Sequence, residues 1–107
     1  MQLETVKNYC DITWSDEQTD DKVAGILDRA QSELESYAGE TLDFSDEKTT
    51  LAQLLLDCCR YILNRALDEF RTNYSDDLNS LRQQYQVKRY IEKNGGDSDA
   101  EAEDPEL

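Results

Sequence analysis

Four groups of residues in this 107-residue chain have side chains suited to chemistry or recognition. The run Ser15-Asp16-Glu17-Gln18-Thr19-Asp20-Asp21 gathers four carboxylates, as a calcium loop or an acid–base pair would. Cys58 and Cys59 are adjacent thiols, with Cys10 as a third. Trp14 stands alone beside the acidic run, with a ring suited to burial or to an interface. Arg82, Tyr85, Arg89, Tyr90 and Ile91 interleave guanidinium groups with aromatic and aliphatic side chains, a mixture that anchors protein contacts.

Catalysis is hard to assemble from this inventory. The chain has no His, so the commonest general base and the commonest neutral metal ligand are both missing. The acidic run lacks the central Gly and the terminal bidentate Glu of an EF-hand loop. Asp20 and Asp21 fit better as acids at the start of a helix, where they complement its dipole. Adjacent cysteines in a helix point about 100° apart, which disfavours a bond between them. They lack C-x-x-C spacing and stand beside Asp57 rather than a cation, so they read as small apolar residues. The four glycines, Gly25, Gly39, Gly95 and Gly96, form no phosphate-cradling loop. The expectation is a protein without catalytic, metal or cofactor sites.

Hydrophobic spacing then supplies the elements that would hold these groups. Leu3, Val6 and Tyr9/Cys10 predict a short helix near 3–10. Val23, Ile26, Leu27, Ala30, Leu34 and Tyr37/Ala38 predict a longer one near 19–38, closed by Gly39 in a left-handed cap. Gly25 inside it is costly against Ala, and a close helix crossing is the expected reason. Leu51, Leu54, Leu55, Cys58, Ile62, Ala66 and Phe70 predict one helix over 47–73, with Ser45 as its cap. At 1.5 Å per residue it would be roughly 40 Å long, long enough for part of it to face another subunit. Asn64-Arg65 and the charges around Phe70 are expected on its solvated end. Leu78, Leu81, Tyr85 and Val87/Ile91 mark a last helix at 76–93, capped by Ser75 and stopped by Asn94-Gly95-Gly96. The fold class is therefore all-α, a small bundle of three main helices plus a short N-terminal one, over a domain of residues 1–94. Residues 95–107 carry six acidic groups, no basic one and only a terminal Leu, so a disordered acidic tail is expected.

The net charge of −14 is uneven. Residues 1–47 hold thirteen acidic and three basic groups, whereas residues 75–94 hold four of the eleven basic ones. Such a surface repels DNA at range, because nucleic-acid binding begins with phosphate neutralisation. The opening residues have no signal-peptide pattern, and no apolar run approaches a membrane span, so no membrane is expected and reduced thiols are.

Residues Leu3, Val6, Lys7, Tyr9, Ile12, Asp20, Asp21, Ile26, Leu27, Ala30, Tyr37 and Gly39 occur in an order that resembles the head-to-tail connector (adaptor, head-completion) proteins of tailed bacteriophages. The resemblance covers residues 3–39, and residues 47–73 by architecture only. It implies a virion protein of the head–tail junction, assembled in the host cytoplasm. Such a protein joins the portal as a twelvefold ring, extends the DNA channel without specifically binding DNA, and receives a downstream head-completion or tail protein. In that family the C-terminal part engages the portal, which would make Arg82, Tyr85, Arg89, Tyr90 and Ile91 the docking residues. Trp14 is expected either to lid the core between the first two helices or to stand exposed as an inter-subunit contact. Two rival readings use the same acidity. One is a DNA mimic that fills a basic groove, and the other is an antitoxin-like helical regulator.

Overall fold

A computed structural model describes residues 1–95, with side chains through residue 93. The acidic tail expected from residue 95 therefore lies, from residue 96 onward, outside the described residues. Among the described residues the chain is all-α: α1 (Leu3–Tyr9), α2 (Glu17–Ala38), α3 (Thr50–Leu63), α4 (Leu67–Asn73) and α5 (Ser75–Tyr90). A π-helical turn, Ile91–Gly95, extends α5. α2 packs against α1, α3 and α5, and α3 packs against α1, α2 and α4.

The core forms where these faces meet. Ala30 and Leu34 of α2, Leu55, Cys58 and Cys59 of α3, and Phe70 of α4 are fully buried. α3 is apolar around most of its circumference because it is enclosed on several sides, as its sequence requires. The loop between α2 and α3 adds Leu42 and Phe44 to the same core. Its backbone is fixed locally: Asp43 accepts from the Ser45 N–H, Asp46 from the Lys48 N–H, and Glu35 from the Leu42 N–H. Glu47 then reaches across to accept from the Gln2 N–H and the Thr5 hydroxyl, both at 2.7 Å. That contact satisfies an otherwise uncapped N-terminus of α1.

Several expectations need correction. The single helix over 47–73 is two helices, broken at Asn64–Ala66. Arg65 adopts φ +58, its N–H bonds to the Ile62 carbonyl, and the Ala66 N–H bonds to the Tyr61 carbonyl at 2.8 Å. This is the Schellman arrangement that ends helices, formed here with Arg at the position usually held by Gly. The apolar spacing continued through the break because Phe70 folds back into the same core. Its ring stacks on Tyr74 at 4.6 Å and tilts against Tyr61 at 5.7 Å. No 40 Å helix therefore projects toward another subunit. Gly25 is not at a helix crossing, since nothing lies within 4 Å of a Cβ placed there. The cap of α3 is Thr49, which accepts from the Ala52 N–H at 3.0 Å, rather than Ser45. Ser75 is the first residue of α5 and not its cap; Tyr74 holds that position without a side-chain bond.

Candidate interaction surfaces

The N-terminal surface is organised by Lys7, a residue whose burial the sequence pattern did not reveal. Its side chain is almost fully enclosed. Its ammonium donates to Ser15 Oγ at 2.8 Å and Asp20 Oδ1 at 2.9 Å, with Glu4 at 3.8 Å. The hydrogen bond to Asp20 raises its pKa above the ordinary lysine value, against the opposing effect of burial. A buried ammonium is tolerable only when paired in this way. The pairing ties α1 to the first turn of α2 across the connecting loop. The chain reaches that loop through a second Schellman end: Asp11 has φ +60 and the Ile12 N–H bonds to the Lys7 carbonyl at 2.8 Å. Asp16 then caps α2 by accepting from the Thr19 N–H, which holds its carboxyl below the usual range. Thus the acids at 16 and 20 are a cap and a lysine partner.

Trp14 sits on this braced loop and is not a lid on the core. Its ring is 57% exposed, and its indole N–H donates to Thr19 Oγ1 at 2.7 Å. The loop therefore presents the ring outward in a fixed pose.

The second surface lies at the far end of α2. Arg82 lies over the Tyr37 ring at 5.3 Å, and Lys88 lies over Tyr85, which is half-buried. Lys88 also pairs with Glu40 at 2.9 Å. Arg89 donates to the Ala38 carbonyl at 2.6 Å and to Glu40 at 3.4 Å. Its guanidinium covers Gly39, whose φ is +77. A cation on the last carbonyls of a helix complements its dipole. Arg82 and Arg89, expected at an interface, are thus engaged in joining α5 to α2, and Tyr85 packs against the core. Tyr90 and Ile91 differ, at 69% and 57% exposed. Val87 joins them at 56% exposed, and positions 87, 90 and 91 share one helical face. The sequence pattern placed Val87 on an apolar edge without marking it as a docking residue. Its spacing of three and four from Tyr90 and Ile91 was the available signal.

Between these ends, Asp57 accepts from the hydroxyls of Tyr9 and Tyr74 and from Gln53 Nε2. Burial, followed by the Asp57 bond, raises the Tyr9 hydroxyl and pushes Tyr74 up to about 12. The cluster pins α1, α3 and the α4–α5 joint to one another, at the edge of a groove of about 440 Å³ between α3 and α5. Cys58 and Cys59 lie in the core, and burial pushes both thiols up to about 12, far from the thiolate that nucleophilic chemistry needs. Among the described residues, no helix is long and apolar enough to cross a membrane. The chain matches no family model, no curated protein and no solved structure.

Proposed function

We propose that this chain is a head-to-tail connector subunit of a tailed bacteriophage, docking on the portal through the end of α5 and forming a twelvefold ring around the DNA channel. One observation carries the reading. α5 ends with Val87, Tyr90 and Ile91 exposed, and among the described residues the turn beyond it packs on no element other than α5. Exposed apolar side chains at the end of a helix suit insertion into a larger partner.

The N-terminal residues that carry the resemblance support it as a unit. Leu3, Val6, Tyr9, Ile12, Ile26, Leu27, Ala30 and Tyr37 belong to one apolar cluster. The buried Lys7 pairs with the partly exposed Asp20, and Gly39 is the left-handed cap of α2. Trp14 and the α5 patch lie at opposite ends of α2, whose 22 residues span roughly 33 Å. A subunit that joins the portal at one end and a downstream head-completion or tail protein at the other needs such separated surfaces. Exposed acids at Glu4, Asp11, Asp16, Glu17, Asp21 and Asp28 suit a channel that passes DNA without holding it.

The test is assembly on the portal encoded in the same genome, followed by native mass measurement and electron microscopy. The wild-type chain should add as a ring with the portal's symmetry. Replacing Val87, Tyr90 and Ile91 together with Ser should abolish attachment while leaving helical content unchanged. A wild-type chain that ignores its portal would overturn the reading and favour the DNA mimic. A triple variant that attaches normally would move the docking surface elsewhere.

A further inference from the structure

The six arginines of the chain are not equivalent. Arg71 holds Glu33 with two bonds of 2.8 and 3.1 Å, Arg82 lies over Tyr37, Arg60 lies near Tyr9 and Tyr61, and Arg89 caps α2. Arg29 and Arg65 have no ion pair or ring contact with any described residue. Both line one cleft of about 410 Å³ at the α3–α4 elbow, together with Arg71 and above Ile62 and Leu67. The cleft contains one carboxylate, Asp68, which lies 3.2 Å from Arg71. A second hollow, along α2 and α4, shares Arg29, Leu67 and Arg71 with it and extends the surface to Asp28, Ser36 and Glu33, the partner of Arg71. Three guanidinium groups therefore converge in a chain of net charge −14, two of them with no ion pair among the described residues. One of the two, Arg65, occupies a left-handed backbone position where Gly would be easier. Guanidinium forks match carboxylates in planar two-bond geometry, so the fitting ligand is a carboxylate-rich peptide.

The geometry points to the acidic segment of a second copy of this chain, residues 97–106, as the occupant. That segment supplies Asp97, Asp99, Glu101, Glu103, Asp104 and Glu106 with no basic residue among them. Twelve residues follow Gly95, a reach of up to about 40 Å. α5 crosses the end of α2 at Ala38 and Glu40, whereas the cleft flanks Arg29, ten residues earlier and roughly 15 Å back along the helix. A chain's own segment would have to reverse and run past Glu40 and Glu33 to enter it. A neighbour's segment is not tied to that end of α2, and the resulting contact is head-to-tail, the kind that builds rings where its rotation closes. The contact needs no portal, so its failure and that of the connector reading are separable.

Sedimentation of the full-length chain at about 0.15 M salt tests it, where the overall repulsion is screened beyond about 8 Å. The wild type should associate weakly with rising concentration. One full-length variant carries Arg29→Glu with Arg65→Glu. A second carries Asp97→Asn, Asp99→Asn, Glu101→Gln, Glu103→Gln, Asp104→Asn and Glu106→Gln. Each alone should associate about tenfold or more weakly than wild type. The second variant is decisive in sign, because removing six negative charges relieves repulsion and on net charge alone would strengthen association. Mixing the two variants should restore a species of two chains and stop there, since only one cleft meets only one acidic segment. Wild type that stays monomeric to about millimolar concentration would overturn the proposal. So would association that survives in either variant, or a mixture with no two-chain species.

Discussion

Between Leu54 and Ile62, α3 buries Leu54, Leu55, Leu56, Cys58, Cys59 and Ile62, whereas between Val87 and Ile91 α5 leaves Val87, Tyr90 and Ile91 exposed. Both stretches place apolar side chains at helical spacing, the second running from α5 into the first residue of the π-helical turn. The difference is what stands opposite them. α3 faces α1, α2 and α4, while this stretch of α5 lies at the end of α2, where Arg89 holds the Ala38 carbonyl. Helical periodicity therefore identifies apolar faces, and the topology decides how far the chain itself buries each of them.

The contrast is broken most forcefully from the buried side. Phe70→Ala removes a fully buried ring packed between Tyr61 and Tyr74 and should cost about 3–5 kcal/mol in urea unfolding. Leu55→Ala, also fully buried, should cost about 2–5 kcal/mol. A loss below about 0.5 kcal/mol in either variant would mean that α3 and α4 do not form the shared core.

Alkali should act on the same body. Cys58, Cys59 and Tyr74 are all pushed up to about 12, from ordinary values of 9.0 and 10.0. Their protonated forms are favoured in the fold, so this stability is fully present below pH 9. It falls as the pH rises toward 12, because the unfolded chain releases these protons first. Tyr74→Phe should flatten the part of that decline between pH 10 and 12. A variant whose stability falls as steeply as wild type would show that Tyr74 does not titrate as its burial and its bond to Asp57 require.

The sequence disclosed the helical class, the two stripes of α2 and α3 and the cap at Gly39, because each rests on local spacing or on one residue with an unusual conformational range. It did not disclose the ends at Asp11 and Arg65, where residues other than Gly adopt the left-handed conformation. Nor did it disclose the buried Lys7, whose partners Ser15 and Asp20 lie across a turn and become neighbours only after folding. The candidate docking set was partly legible for a related reason. Residue type marked Arg82, Tyr85 and Arg89 as interface-like, but Tyr37 and Glu40, the partners of the two arginines, were invisible without the packing of α5 on α2.

Backbone substitutions at three positions separate local conformation from packing, on a smaller scale. Gly39→Ala should cost about 1–2 kcal/mol, since φ is +77 and the new Cβ would meet the Arg89 guanidinium at 3.1 Å. Arg65→Gly should gain about 1 kcal/mol by removing the left-handed penalty at the elbow. Gly25→Ala should gain about 0.5–1 kcal/mol, because it lies in mid-helix with open space around it. Thermal unfolding of the three variants checks the signs. A destabilising Gly25→Ala would restore the close crossing that this structure does not contain.

The smallest expected effect is the most telling for function. Val87 and Ile91 are more than half exposed and flank Arg89, which holds the end of α2. If that face exists for a partner, the isolated fold does not need it. Val87→Ser with Ile91→Ser should then change unfolding stability by less than about 0.5 kcal/mol, as surface substitutions do. Any residual loss should come from helix propensity alone, since Ser and Val rank closely in helices. A cost above about 1 kcal/mol would show that the patch packs within its own chain, and α5 would then join α3 as core rather than contrast with it. A neutral result combined with lost portal attachment would instead tie the exposed face to assembly, because the substitutions would have removed binding without touching the fold.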